Sequence, residues 1–124
     1  MSQEELNCID IPRGLRIVNR NAKLYERLLK SFLTTTLYNE LVEAVAGNDA
    51  PKAAASAHAL KGVAANLALV TISDLIVPME GEMKTGAVPI PSNEEMAKLA
   101  GAYTQTVIAI ETLLANPELI AAHQ

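Results

Sequence analysis

The sequence predicts an all-α fold, an antiparallel four-helix bundle with an additional short N-terminal helix. Three observations lead there. Half of the 124 residues are hydrophobic but only 3% are aromatic and none is Trp, a balance that suits closely packed helices better than a β-sandwich. Apolar residues recur at three- and four-residue spacing in successive segments. Gly, Pro, Asn and Asp punctuate the chain between those segments.

Asp10 is placed to cap the opening helix, with Pro12 in its first turn, where a missing N–H costs little. Residues Asn19 to Asn21 read as a turn. Leu24, Tyr25, Leu28, Leu29 and Phe32 then form one apolar face, and the pattern continues to Ala46, before Gly47 as a stop. Asn48 or Asp49 caps the next helix, Pro51 fits its first turn, and the run Ala53 to Leu67 has very high helix propensity.

Thr71 is the expected cap of a further helix, with Ile72, Leu75, Ile76, Met79 and Met83 as its inward stripe. Pro78 inside it predicts a kink or break, since an interior proline removes a backbone bond and costs about 3 kcal/mol. Gly86, Pro89 and Pro91 mark a loop, after which Ser92 and Glu95 have the spacing of a capping box. The last stripe comprises Met96, Leu99, Tyr103, Val107, Ile110 and Leu114, ending near Asn116 and Pro117. A single domain over residues 1–124 is expected, with the 1–9 segment and the 117–124 tail frayed.

A net charge of −4 opposes a nucleic-acid partner, which would need concentrated Lys and Arg. The longest uncharged stretch, Gly62 to Ser73, is far short of the roughly 20 apolar residues of a membrane span, so no direct membrane contact is expected. A single cysteine, Cys8, and no signal-peptide pattern favour the cytoplasm. Cys8 and His123, near the termini, read as unconstrained side chains, and the Asp and Glu residues as solvated helix faces. With one other histidine, in the tail, a metal-binding bundle lacks its ligand set.

His58 is the residue that stands apart. At about 100° per residue, Ala53, Ala57, Leu60, Ala64 and Leu67 share the core sector of their helix, and His58 lies roughly 160° from Leu60. Lys61 and Gly62, three and four positions on, are its surface neighbours. A glycine in a helix interior is destabilising by roughly 0.5–1 kcal/mol relative to Ala, which points to close approach by another body. Ala54 and Ala65 leave the same surface open. A neutral imidazole can attack a phosphoryl group without a separate base, while Lys61 offsets the incoming charge and Gly62 gives access. The competing reading is a helical adaptor that binds a protein partner, with His58 incidental.

The run Ala57-His58-Ala59-Leu60-Lys61-Gly62-Val63-Ala64-Ala65-Asn66-Leu67 resembles the phosphorylation motif of histidine-containing phosphotransfer (HPt) domains, and Gly14-Leu15 through Tyr25 to Phe32 is similar to their second-helix signature. Met79-Glu80 stands where the family often has Leu-Glu. Two positions depart: Ala68 replaces a frequent Gly, and Pro78 falls in a helix that is usually continuous.

The resemblance implies that His58 accepts a phosphoryl group from the aspartyl phosphate of a receiver domain and passes it to another, with Lys61 stabilising the phosphate and Gly62 keeping the site open. It implies receiver domains of response regulators or hybrid sensor histidine kinases as partners, with magnesium supplied by the receiver and no cofactor held by this chain. The chain has no phosphate loop of the G-x-x-x-x-G-K type, so no autonomous ATP-dependent kinase activity is expected. A monomer is expected.

Overall fold

A computed structural model describes residues 7–124, and all regular structure among them is helical. The helices are α1 (Ile11–Ile17), α2 (Ala22–Phe32), α3 (Leu37–Ala46), α4 (Ala50–Leu67), α5 (Val70–Thr85), α6 (Asn93–Ala115) and the single turn α7 (Glu118–Ala121). Consecutive helices fold back on one another: α4 packs along α3 and α5, α5 along α6, and α2 closes the bundle against α4 and α6.

Several helix ends follow from local side-chain chemistry. Asp10, Asn21 and Asp49 each accept the backbone N–H three residues on, at Arg13, Leu24 and Lys52. Ser92 and Glu95 form the reciprocal capping box. These bonds satisfy donors that a helix start otherwise leaves unpaired.

Four features differ from the sequence expectation. The helix anticipated from Leu24 to Ala46 is broken into α2 and α3. At the break the hydroxyls of Thr34 and Thr35 donate to the carbonyls of Ser31 and Phe32, and such local bonds compete with helix continuation. Conversely, α5 runs through Pro78 without interruption. Pro78 and Asp74, whose carbonyl loses its partner, are both exposed, so water can satisfy that carbonyl while Ile76 and Met79 anchor the helix on either side. The helix starts at Val70 and Thr71 does not cap it; the Thr71 N–H instead donates to the Cys8 carbonyl. Finally, the buried centre of α6 is Leu99, Ala102, Thr106, Ala109, Ile110 and Leu113. Met96, Tyr103, Val107 and Leu114 lie half-buried at its margin.

The ends of the described chain are anchored. Residues 1–6 of the segment expected to fray lie outside the described residues, but Cys8 and Ile9 are in the core. The Asp10 N–H donates to the Ala68 carbonyl at 2.9 Å. In the tail, α7 buries Ile120 completely, and the Gln124 side chain donates to the Arg20 carbonyl. Burial of that isoleucine contributes about 1.5–3 kcal/mol, alongside the backbone hydrogen bonds from Leu119, Ile120 and Ala121 to Asn116 and Pro117.

The α4–α5 connection is the most constrained turn. Ala68 adopts φ 57°, ψ 41°, a left-handed conformation, and the N–H groups of Ala68 and Leu69 return to the carbonyls of Ala65 and Ala64. This is a Schellman closure with alanine in the place that glycine usually fills. Tyr25, fully buried, donates its hydroxyl to the Leu67 carbonyl at 2.6 Å. Its ring lies against Gly14, where an added Cβ would come within 2.6 Å of the ring carbon Cε1.

Candidate functional site

All five residues assigned to the core face of α4, Ala53, Ala57, Leu60, Ala64 and Leu67, are buried. That fixes the rotation of the helix and turns His58 outward, with 68% of its side chain exposed. Gly62 and Ala65 are exposed on the same surface. A Cβ at Gly62 would meet no atom of the described chain within 4 Å, so packing within this protein does not require glycine there.

The structure adds a residue to this group. Glu80, read from sequence as part of a solvated face, is buried, and it projects from α5 between His58 and Lys61. Its Oε1 lies 3.0 Å from His58 Nδ1, and its Oε2 accepts from Lys61 Nζ at 3.1 Å. One carboxylate therefore holds two groups that α4 presents one turn apart. Hydrogen bonds from Lys61 and then from His58 hold the Glu80 carboxyl below its ordinary range, against the opposing effect of burial.

This arrangement fixes the chemistry of the imidazole. An ionised carboxylate only accepts, so Nδ1 of the neutral ring must carry the hydrogen and donate to Oε1. Nε2 is left with its lone pair on an exposed ring, the state a nucleophile needs. Lys61, with 29% of its side chain exposed, is paired with Glu80 and remains partly open to an incoming anion.

Glu80 carried one legible signal. It lies eight residues after Ile72 and four after Ile76, on the apolar stripe of α5, where a carboxylate needs a partner. The partner itself, supplied by another helix, could not be read from that spacing. Cys8, taken as an unconstrained terminal side chain, is buried. Among the described residues no three His, Cys, Asp or Glu side chains converge on a point where a metal could sit, and no helix is long and apolar enough to cross a membrane.

The bundle thus presents an exposed imidazole on an open surface, oriented by a carboxylate from the adjoining helix. The family model described as "Hpt domain" matches residues 27–116, a span that includes His58, Lys61, Gly62 and Glu80. The chain belongs to the Hpt domain family, whose members act in histidine phosphotransfer within phosphorelays. The Gly14 to Tyr25 part of the second-helix resemblance lies upstream of the match. Neither the curated proteins nor the solved structures give a match to this chain.

Proposed function

We propose that His58 accepts a phosphoryl group from the aspartyl phosphate of a receiver domain and returns it to the aspartate of a second receiver. The observation that carries this reading is the 3.0 Å contact between His58 Nδ1 and Glu80, which leaves Nε2 as the exposed lone pair. In the forward step that lone pair attacks phosphorus, an N–P bond forms, and the acyl phosphate O–P bond breaks, its electrons leaving with the aspartate carboxylate. The proton on Nδ1 stays in place, so the phosphorylated ring is formally cationic, and the Glu80 carboxylate beside it offsets that charge. Return transfer reverses these bond changes on another receiver.

Lys61 stabilises the added phosphate oxygens, and Gly62 lets the receiver close on the imidazole. Any magnesium comes with the receiver's acidic pocket, and the chain works as a monomeric cytoplasmic carrier without kinase activity of its own. The partners are receivers of response regulators or hybrid sensor histidine kinases.

The test is incubation with a phosphorylated receiver and assay for acid-labile phosphate on this chain. Wild type should become labelled and His58→Gln should not. Equal labelling of the His58→Gln variant would end the proposal.

A further inference from the structure

Charge is unevenly distributed along this chain. Six of its ten Lys and Arg residues fall between Ile11 and Lys30, where Glu26 is the one acid, a local balance of +5. Residues 31–124 carry four lysines against ten Asp and Glu, a balance of −6. The six cations, Arg13, Arg16, Arg20, Lys23, Arg27 and Lys30, are all exposed. Among the described residues the one ion pair that involves them is Lys23 to Glu26 at 3.7 Å, so most of this charge faces solvent without a partner.

Their spacing is regular. The six follow one another at alternating intervals of three and four residues, the period of a helix face. On α2, Lys23, Arg27 and Lys30 fall within about 60° of one another, on the side away from the buried Tyr25 and Leu29. On α1, which packs against α2, Arg13 precedes Ile17 by one turn and Arg20 follows it by three residues. Ile17 is 49% exposed, so a large apolar side chain stands in water among cations.

We propose that this face binds an anionic phospholipid surface, with the six cations over the headgroups and Ile17 entering the boundary between headgroups and acyl chains. Two features of the face select this occupant. Cations spread over two helices match a surface whose negative charge is continuous, and each adds roughly fivefold to partition onto such a surface. An apolar side chain among them gains where an apolar layer lies just below the charge, as it does in a bilayer. A nucleic-acid backbone would engage the cations but leave Ile17 in water. The acidic remainder of the chain is repelled by the same surface, which orients the molecule with α1 and α2 against the lipid. The contact is peripheral and needs no spanning helix. It departs from the expectation of no direct membrane contact, which rested on the lack of a span.

The experiment is sedimentation of the whole chain with vesicles of phosphatidylcholine alone or of phosphatidylcholine mixed with phosphatidylserine. Binding is followed at about 20 mM and about 300 mM NaCl, which brackets weak and strong screening. Wild type should bind the mixed vesicles at low salt, at least tenfold more weakly at high salt, and leave pure phosphatidylcholine in solution. His58→Gln should bind as wild type does, because the contact is independent of phosphotransfer. An Arg13→Glu/Arg27→Glu variant should lose roughly a hundredfold or more at low salt, and Ile17→Ser about tenfold. All three positions are exposed, so circular dichroism can confirm that both variants fold, and the lipid and salt dependence of wild type tests the proposal without them. No binding at low salt, equal binding to both vesicle types, or unchanged binding by either folded variant overturns the proposal. So does tighter binding to a DNA duplex than to the mixed vesicles.

Discussion

Glu80 Oε1 stands 3.0 Å from His58 Nδ1, so an exposed imidazole is oriented by the one charged side chain that is buried among the described residues. The same carboxylate accepts from Lys61, and its replacement has two separable consequences. In Glu80→Gln, the single amide oxygen can accept from Lys61 while the amide NH2 faces Nδ1, which disfavours the Nδ1–H tautomer and supplies no charge. Transfer to His58 should slow by about tenfold, the equivalent of roughly 1.4 kcal/mol, with receiver affinity unchanged. Glu80→Ala removes both bonds and leaves Lys61 without its partner, and urea unfolding should show a loss of about 2–3 kcal/mol. An unchanged transfer rate in Glu80→Gln would remove the carboxylate from the chemistry.

The Glu80 carboxyl has a lowered pKa because Lys61 and His58 bond to its ionised form. In the unfolded chain the group reverts to its ordinary value, 4.5. Around that pH the unfolded state therefore binds more protons than the folded one, and stability rises with pH. The Glu80 contribution is fully present above pH 4.5 and is lost as pH falls from there through the lower folded value. Denaturation curves between neutral and acid pH should show this loss in wild type, and Glu80→Gln should have a correspondingly shallower pH dependence.

Ala68 tests the left-handed turn between α4 and α5. An L-residue with a Cβ at φ 57° is unfavourable by roughly 1–2 kcal/mol, and glycine removes that strain at some entropic cost and with loss of a buried methyl. Ala68→Gly should raise stability by about 0.5–1 kcal/mol, read as a higher melting temperature with no change in transfer.

The contact of Tyr25 with Gly14 and Leu67 makes an opposing pair of predictions. Tyr25→Phe leaves the Leu67 carbonyl without its hydroxyl donor and should destabilise by about 1–2 kcal/mol. Gly14→Ala pushes a methyl into the Tyr25 ring and should destabilise by about 1–3 kcal/mol, because both the helix and the ring are buried there. Chemical denaturation of both variants is the check.

Gly62 separates folding from function. No described atom lies within 4 Å of an added Cβ, so Gly62→Ala should stabilise α4 by about 0.5–1 kcal/mol through helix propensity. If a receiver closes on that surface, the same substitution slows transfer. Slower transfer together with higher stability is the expected outcome, and stability alone would leave the glycine without a docking role.

Much of the bundle was legible because its signals are local. The Asp10, Asp49 and Ser92 caps, the core face of α4 and the outward turn of His58 depend on spacing within one segment. The Thr34-Thr35-Thr36 run was an available warning that the expected long helix would break, since those hydroxyls compete for helix carbonyls. Pro78 worked in the other direction: propensity gave it a kink or a break, and exposed placement with packing on both sides kept α5 from breaking. Of the site, His58, Lys61 and Gly62 were found together because they share one helix face. Glu80 was not, because its partners are 22 and 19 residues away and reach it only across a helix interface.

The sequence by itself determined that the chain is helical, that α4 buries an alanine and leucine face, and that an imidazole, a lysine and a glycine share the opposite side. Helix periodicity converts those spacings directly into faces. Only the tertiary structure decided that α5 delivers a buried carboxylate to that imidazole, that Tyr25 and Ala68 lock the turn behind it, and that Ile17 is left in water among the cations of α1 and α2. Those outcomes depend on how helices are rotated and shifted against one another, which packing of the whole core settles and no single segment encodes.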